Sequence, residues 1–219
     1  MSRPVVTTVS LIAAVSNGIC QTQTPPPSND LVFNGSLVNA AGVAVLDSAR
    51  CIAIASTGND SGITFTITGT PRPEAPELTL VEVIAGSNGG TAVSTRNFKT
   101  VTSIVASGPV AGAITVGTNG IASGPWVVWN NFVADFNVGI AGIVISGNPQ
   151  WQIDYTYDDV FGTWPHPGTT FASIFPLPTM TNVFGNLDGR ISGTGVRATR
   201  LTLMSAPGIV QCTQLQQGG

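Results

Sequence analysis

The stretch Ile63-Thr64-Phe65-Thr66-Ile67-Thr68 alternates apolar and hydroxyl side chains one by one. Successive side chains of a β-strand point to opposite faces, so this order places the apolar residues on one face and the threonines on the other. It is the pattern of a strand with one buried side. Similar segments, each bounded by Gly, Pro, Asn or Ser, recur at Cys51–Ser56, Leu78–Ile84, Thr95–Ala106, Ala113–Gly117, Trp151–Tyr157 and Ala198–Met204.

Turn-forming residues separate these segments. Asn88-Gly89-Gly90, Asn119-Gly120 and Gly58-Asn59-Asp60-Ser61-Gly62 supply residues that tolerate the positive φ of tight hairpins. Amphipathic helical spacing is almost absent from the chain. Short strands at regular intervals, joined by such turns, are typical of all-β sandwiches and barrels. The sequence therefore predicts an all-β fold, an antiparallel β-sandwich or jelly roll, with a body that spans residues 30–219.

The first residues are predicted to form an extended N-terminal arm, residues 1–29. Val5–Val15 is apolar, but hydroxyl residues interrupt it, so we interpret it as a retained strand rather than a secretory signal. Pro25, Pro26 and Pro27 lack amide protons and predict an extended polyproline connector behind that strand. The arm either packs on its own domain or reaches a neighbouring subunit. In the second case, its deletion weakens attachment and leaves the body folded.

The composition of the chain changes near Pro125. All four tryptophans and both tyrosines lie between Trp126 and Trp164, whereas the preceding part is rich in Thr and Val. Two interpretations stay open at this point. A second subdomain begins near residues 120–125, or one sandwich has an aromatic-rich half.

A proline-rich segment follows the aromatic region. Gly162–Pro178 contains four prolines, too many for regular ladder pairing, and is predicted to be a long ordered loop. Its aromatic side chains would tether it to a core or to a partner. This loop and the proline connector supply the candidate interaction residues, which are Pro25, Pro26, Pro27, Trp164, Phe171 and Phe175.

The chain carries little charge. Only 9% of its 219 residues are Asp, Glu, Lys or Arg, against about 25% in a typical soluble domain. Because free monomers rely on surface charge to resist association, this composition favours a surface that neighbouring subunits cover. Eight basic and eleven acidic residues, without a run of Lys or Arg, argue against direct nucleic-acid binding. No segment approaches the apolar length of a membrane span.

The residues that could carry chemistry are better explained by structure. Asp60-Ser61 is similar to part of the nucleophile motif of trypsin-like proteases, but the only histidine, His166, follows the serine, and the string is ordinary turn sequence. Asp154, Asp158 and Asp159 lack the spacing of a calcium loop or a glycosidase pair. We therefore predict no enzymatic activity, no cofactor and no metal site.

The three cysteines are predicted to be small buried side chains. Cys20, Cys51 and Cys212 lie far apart in the chain and match no metal-binding or redox spacing. The sequence leaves open whether two of the three form a disulfide.

A central segment points to a family of proteins. Leu80–Ile104, continued by Ala113–Gly117, resembles a segment of small virion proteins of tailed bacteriophages. In those proteins a strand ending near a glutamate is followed by a Gly/Asn loop, then Ser-Thr-x-x-Phe-Lys-Thr-Val-Thr-Ser and a strand ending in Val-Gly. The resemblance extends from about Gly62 to Gly117, about a quarter of the chain, and carries no catalytic residues. Within it, Phe98, Val101 and Ile104 are expected in the sheet, and Lys99 is expected as an exposed gatekeeper charge.

The resemblance implies a structural component of a virion, assembled in the bacterial host cytoplasm. The first hypothesis is a capsid decoration or cement protein that bridges neighbouring shell subunits, with other virion proteins and further copies of itself as partners. The alternative within the virion is a tail adaptor or a subunit that anchors a tail fibre. A carbohydrate-binding module is the alternative of another class, with a sugar-stacking platform drawn from Trp126, Trp129, Trp151 and Trp164.

Overall fold

The computed structural model describes residues 4–25, 30–71, 79–130, 136–157, 160, 174–192, 195–205 and 207–217. Over these residues the chain is almost entirely β-structure, with one short 3₁₀ turn at Pro178–Met180. None of them belongs to a helix long and apolar enough to cross a membrane. The strands are β1 (Val5–Leu11), β2 (Cys20–Gln23), β3 (Ala44–Ser56), β4 (Thr64–Thr70), β5 (Leu80–Ala85), β6 (Thr91–Val93), β7 (Phe98–Ala106), β8 (Ile114–Ser123), β9 (Val127–Val128), β10 (Asn137–Gly147), β11 (Gln150–Thr156), β12 (Phe175–Pro176), β13 (Val183–Phe184), β14 (Leu187–Ser192), β15 (Ala198–Ser205) and β16 (Gly208–Gln216).

The chain folds as two compact units. Unit 1 consists of Met1–Ile12 and Ile121–Gly219, and unit 2 consists of Ala13–Gly120. The boundary in the middle of the chain lies within residues 120–125, where the composition changes. All four tryptophans and both tyrosines therefore belong to unit 1.

Unit 1 is a sandwich of two antiparallel sheets. The first sheet has the strand order β1-β16-β10-β14. The second contains β12, β11 and β15, with β13 on β11 and with β9 and the end of β8 on β15. Inward side chains of both sheets form one core, because one side of each strand is apolar. Its most buried members include Val138, Val210, Trp151, Ile153 and Leu201.

The indole of Trp151 on β11 packs directly against the backbone of the facing sheet in this core. Its ring lies on Gly142 of β10, where a Cβ atom would be 2.2 Å from Cη2 of the indole. The indole Nε1 donates a hydrogen bond to the Gly185 carbonyl at 2.9 Å. A glycine is required at residue 142 because no side-chain atom fits between the backbone and the ring.

Unit 2 is built on the sheet order β8-β3-β7-β4-β5, with β2 on β8 and β6 on β3. Strand β4 is the segment whose alternation is clearest in the sequence, and it pairs with β5 and β7 on its two sides. Phe65 and Ile67 of β4 lie in the core, and the intervening threonines do not. The predicted all-β, antiparallel fold of sandwich type is confirmed, and its jelly-roll form stays a prediction.

The strand β7 confirms part of the expectation for the central segment and corrects another part. Phe98, Val101 and Ile104 are buried, and the three-residue step from Val101 to Ile104 spans a register shift opposite Thr68/Gly69. Lys99 is not a free gatekeeper charge. Its Nζ donates hydrogen bonds to the carbonyl oxygens of Leu46 and Asp47, at 2.7 and 3.0 Å. The ammonium group satisfies carbonyls where the pairing of β3 with β7 is irregular.

The N-terminal residues differ from the predicted separate arm. Val5–Leu11 is a strand, as expected, and it pairs along its whole length with β16 of the same chain. Val9 and Leu11 belong to the core of unit 1, while Cys20 belongs to the core of unit 2. The alternation of the segment explains this outcome, since Val9 and Leu11 lie on the face that its own chain buries.

The proline-rich loop predicted at residues 162–178 falls mostly outside the described residues. Its described end forms β12, Leu177 and the start of the 3₁₀ turn. Leu177 is buried in the core of unit 1 and its amide donates to the Ile153 carbonyl at 2.7 Å. This end of the segment is therefore held against its own unit.

Candidate functional site

The outer face of the first sheet of unit 1 is the main candidate for an interaction surface. Strands β1, β16 and β10 lie side by side and contain no Asp, Glu, Lys, Arg or His. Their inward side chains fill the core, and the alternate side chains point away from it. We call this surface the uncharged face, and its members are Val6, Thr8, Gly139, Ala141, Ile143, Ile209, Gln211, Thr213 and Leu215.

The register of the sheet shows how these side chains are arranged. Thr8 pairs with Gln211, which pairs with Ile143, so the three form one row across the sheet. Three aliphatic members of the face are well exposed, Val6 at 53%, Ile143 at 42% and Leu215 at 41%, while Ala141 and Ile209 are partly exposed. Aliphatic, hydroxyl and amide side chains thus alternate over three strands. A pleated surface of this kind offers shape and hydrogen bonds to a partner but no formal charge.

Charges appear only where the sheet ends at β14. Asp188 and Arg190 are exposed on this edge strand and pair in register with Ala141 and Gly139 of the uncharged face. Two opposite charges two residues apart leave this border close to neutral. The border therefore resembles the polar rim that surrounds the apolar centre of many protein interfaces.

The predicted interaction residues are only partly placed by the structure. Pro26, Pro27, Trp164 and Phe171 lie outside the described residues. Pro25 is half-buried and follows β2.

Phe175, the last of the predicted interaction residues, belongs to an exposed aromatic cluster. It lies in β12 opposite Tyr155 of β11 and is 43% exposed. Its ring centroid is 5.6 Å from that of Tyr155 and 6.4 Å from that of Tyr157. Loss of water around the hydroxyl raises the pKa of Tyr155, and the neighbouring Tyr157 adds to the rise. The sequence does not indicate that these three rings form one group, because Phe175 is far from the tyrosines in the chain.

The prediction that four tryptophans form a sugar-stacking platform is wrong for two of them. Trp129 and Trp151 are buried in the core of unit 1. Trp126 is half-buried beneath Arg200, whose guanidinium carbon lies 4.6 Å from the ring centroid. Trp164 lies outside the described residues. Large aromatic side chains in a sandwich bury most area when they fill the space between the sheets, which is where these two lie.

Asp154 is a structural carboxylate. It is buried, and its Oδ2 accepts hydrogen bonds from Thr202 Oγ1 at 2.6 Å and from Arg200 Nε at 3.2 Å. Its Oδ1 accepts from Gln152 Nε2 at 2.6 Å. These contacts occupy the carboxylate between β11 and β15. Asp158 and Asp159 lie outside the described residues, and over the part of the chain that is described no three His, Cys, Asp or Glu side chains could hold a metal ion.

The Asp60-Ser61 string is a turn, as predicted. Asp60 is buried, accepts from Ser56 Oγ and accepts from the Ala111 amide at 2.6 Å. Ser61 is exposed, and its hydroxyl donates to Asn59 Oδ1 within the same turn. His166 lies outside the described residues. The carboxylate therefore holds loops together.

Glu82 connects β5 to the residues that directly precede β7. Its Oε1 accepts from both the amide and the hydroxyl of Thr95, each at 2.7 Å, and its Oε2 accepts from the Arg96 amide at 3.0 Å. The side chain is buried, on the inner side of β5. One carboxylate thus fixes where the chain enters β7 after the Gly/Asn loop.

The cysteines are free and buried, as predicted. Burial raises the pKa of the Cys20 and Cys212 thiols from 9.0 to about 12, and contacts with Gln23 and Gln214 oppose the rise. A protonated, inaccessible thiol is a poor nucleophile and a poor metal ligand. These side chains therefore serve as packing groups.

Comparison of the chain with protein-family models, with curated proteins and with solved structures found no match. The assignment of a role therefore depends on the geometry of the uncharged face and on the sequence of the central segment.

Proposed function

We propose that this chain is a structural subunit of a larger assembly and that it attaches through the uncharged face. The observation that carries the proposal is the absence of charge from three adjacent strands whose outer side chains are exposed or partly exposed. Exposed sheets of free proteins normally carry charged side chains that keep them soluble and prevent association. A face without charged side chains is suited to be covered by a neighbouring subunit.

The chemistry of the face specifies its partner. A charged side chain of the partner, placed on Ile143 or Leu215, would lose water and gain no opposite charge. The partner surface must therefore be largely uncharged as well, with hydroxyl, amide and aliphatic groups. An uncharged, β-rich surface of a neighbouring subunit meets this requirement, whether that subunit is another copy or a shell protein.

We further propose that the assembly is the virion of a tailed bacteriophage and that the chain decorates the capsid. The support is the resemblance of Leu80–Ile104, which forms β5, β6 and β7 of unit 2. A decoration protein stabilises a shell because subunits that separate must expose the surface it covers. A contact of about 1,600 Å² in total is enough for a stable complex. A tail adaptor or fibre anchor would use the same rigid β-structure at a single vertex.

The location of the chain in purified particles tests this proposal. Gold-labelled antibody against the chain, viewed by electron microscopy on particles of the phage that encodes it, should label the shell at many positions. Label at one vertex only would replace capsid decoration with the tail role. Particles that carry no label and no chain by mass spectrometry would refute the virion proposal.

A glycan-binding role has one observation in its favour. The rings of Tyr155, Tyr157 and Phe175 form an exposed aromatic cluster, and sugar rings stack on such surfaces. A glycan array probed with the whole chain tests it. Binding that is lost in Tyr157→Ala would support this role, and the absence of binding to any glycan would reject it.

A further inference from the structure

Strand β5 lies at the edge of the unit 2 sheet. Among the described strands it pairs with β4 alone, in a register without shifts. Natural sheets protect such edges with proline, lysine or a bulge, because unpaired amides and carbonyls attract further strands. β5 contains no proline and no lysine, and its one charged side chain, Glu82, points inward and accepts hydrogen bonds from Thr95 and Arg96. The strand therefore has the chemistry of an edge that accepts a further strand.

The backbone groups of β5 that face away from β4 are identified by one hydrogen bond. The Gly86 amide donates to the Ile63 carbonyl at 2.9 Å, which continues the ladder by one residue pair beyond the end of β5. In an antiparallel ladder, pairs that exchange hydrogen bonds alternate with pairs that do not. The even-numbered residues of β5 therefore bond to β4. The odd-numbered residues direct their amides and carbonyls outward, and they are Val81, Val83 and Ala85.

Two contacts limit the open part of this edge. Arg96 Nη1 donates to the Val81 carbonyl at 3.0 Å, so this carbonyl points outward as the ladder requires and is occupied. Beyond the other end of β5, the Ser87 carbonyl accepts from the Asp60 amide at 2.9 Å and is occupied too. The open edge lies between these contacts and consists of Val83 and Ala85.

We propose that the open edge pairs with the same edge of a second copy, about a two-fold axis at Ile84. In this antiparallel register Val83 lies opposite Ala85 of the second copy, and each such pair exchanges both amide–carbonyl hydrogen bonds. The contact is self-complementary, as a two-fold axis requires. A shift of the register by two residues in either direction would need a carbonyl that Arg96 or Asp60 already occupies.

The side chains around the axis fit this pairing. Val83 is 59% exposed on the outer face and would contact the exposed Ala85 of the second copy, with no charge between them. Ile84 lies on the inner face and would be directly opposite its own copy, at a Cα separation of about 4.5 Å. Apolar side chains on both faces of β5 would thus lose contact with water.

The contact is small, and this sets its strength. It is well below the roughly 1,600 Å² of a standard interface, so we expect a dissociation constant on the order of 0.1–1 mM. Copies that are held side by side on an assembly would meet at a high effective concentration and pair there. That last step rests on the proposed function, whereas the pairing of the purified chain does not.

Two proline variants of β5 test the pairing. Val83→Pro removes an amide that donates across the axis, and Val81→Pro removes an outward amide that lies outside the paired segment. Neither amide donates to β4, and proline is tolerated on edge strands, so both variants should fold. In sedimentation equilibrium up to about 1 mM chain, the unmodified chain and Val81→Pro should dimerise alike, and Val83→Pro should raise the dissociation constant at least about tenfold.

Ile143→Lys separates this contact from the proposed function, because it changes the uncharged face and leaves the β5 edge intact. It should dimerise like the unmodified chain. The proposal is overturned if the unmodified chain stays monomeric, if the two proline variants have equal dissociation constants, or if Ile143→Lys abolishes a dimer that Val83→Pro retains.

Amide hydrogen exchange of the unmodified chain reports the register without any variant. Dilution from about 1 mM to about 0.05 mM should speed exchange of the Val83 and Ala85 amides about twofold, because the dimer that protects them dissociates. The Val81 amide lies beyond the paired segment and should exchange at an unchanged rate. Val83 and Ala85 exchange rates that do not depend on concentration would also overturn the proposal.

Discussion

Replacing Gly142 with alanine should destabilise unit 1, while the same change at Gly139 should stabilise it. Both glycines lie in β10, and neither has a positive φ. A Cβ atom at residue 142 would lie 2.2, 2.6 and 2.8 Å from three atoms of the Trp151 ring. A Cβ atom at residue 139 points outward, and its nearest neighbour would be the Leu215 carbonyl oxygen at 3.8 Å, an ordinary contact.

The magnitudes follow from these distances. Overpacking of a rigid core costs about 1–3 kcal/mol, and the Trp151 ring cannot move freely because its Nε1 is bonded to Gly185. We expect Gly142→Ala to lose about 2–3 kcal/mol. Alanine at residue 139 should gain about 0.5–1 kcal/mol, since it restricts the unfolded chain without a steric cost in the folded one.

Urea unfolding followed by tryptophan fluorescence measures both effects, because every tryptophan lies in unit 1. With a slope of about 2 kcal/mol per molar, the midpoint should fall by about 1–1.5 M for Gly142→Ala and rise by about 0.25–0.5 M for Gly139→Ala. Equal midpoints for the two variants would refute the contact of Trp151 with the β10 backbone.

Three other predictions concern the remaining structural features. Glu82→Gln should lower the stability of unit 2 by about 2–3 kcal/mol, because the glutamine NH₂ group presents a donor to the Arg96 backbone amide instead of an acceptor. Urea unfolding followed by circular dichroism measures this loss, and the control Asp188→Asn should leave the stability unchanged. The raised thiol pKa means that unfolded Cys212 loses its proton above pH 9 while the folded thiol keeps it to about pH 12. Stability should therefore fall as the pH rises above 9, with a slope for this thiol that approaches about 1.4 kcal/mol per pH unit. Between pH 9 and 10.5, Cys212→Ala should lose about 1.6 kcal/mol less than the unmodified chain. An equal loss in both would contradict the assignment. Deletion of residues 1–12 should unfold unit 1, since it removes Val9 and Leu11 from the core, and a native tryptophan spectrum after deletion would show instead that β1 is dispensable.

Strands with polar exposed faces could be predicted from the sequence. In β4 the threonines and the apolar residues alternate, so the period of two is visible in the letters. Strand β10 was missed because its outward residues are Gly139, Ala141 and Ile143, which hide the alternation. Strand β16 was missed for the opposite reason, since the inward Gln214 is polar. In both strands the side that is buried is decided by neighbours that the local sequence does not reveal.

The sequence predicts that an uncharged surface exists, but it does not predict which strands form it. The low charge of the chain predicts that part of its surface lacks charged side chains, but it does not say which part. The face arises because β1, the first strand, pairs with β16, the last, which in turn pairs with β10. Pairing over such a distance depends on the whole fold. The six candidate interaction residues were chosen for local sequence features, namely clustered prolines and aromatic side chains. Of these six, only Pro25 and Phe175 lie in the described part of the chain.

The occupancy of particles by two lysine variants tests the central claim most directly. Ile143→Lys places a charge in the middle of the uncharged face, and Val93→Lys places one on a side chain of unit 2 with nearly the same exposure, 43% against 42%. Both variants are checked for native circular dichroism and are then produced in cells that assemble the particle, and copies per particle are counted by quantitative mass spectrometry. Burial of the uncharged face predicts that Ile143→Lys occupancy falls at least tenfold while Val93→Lys stays at the unmodified level. Equal occupancy of the two variants would contradict it.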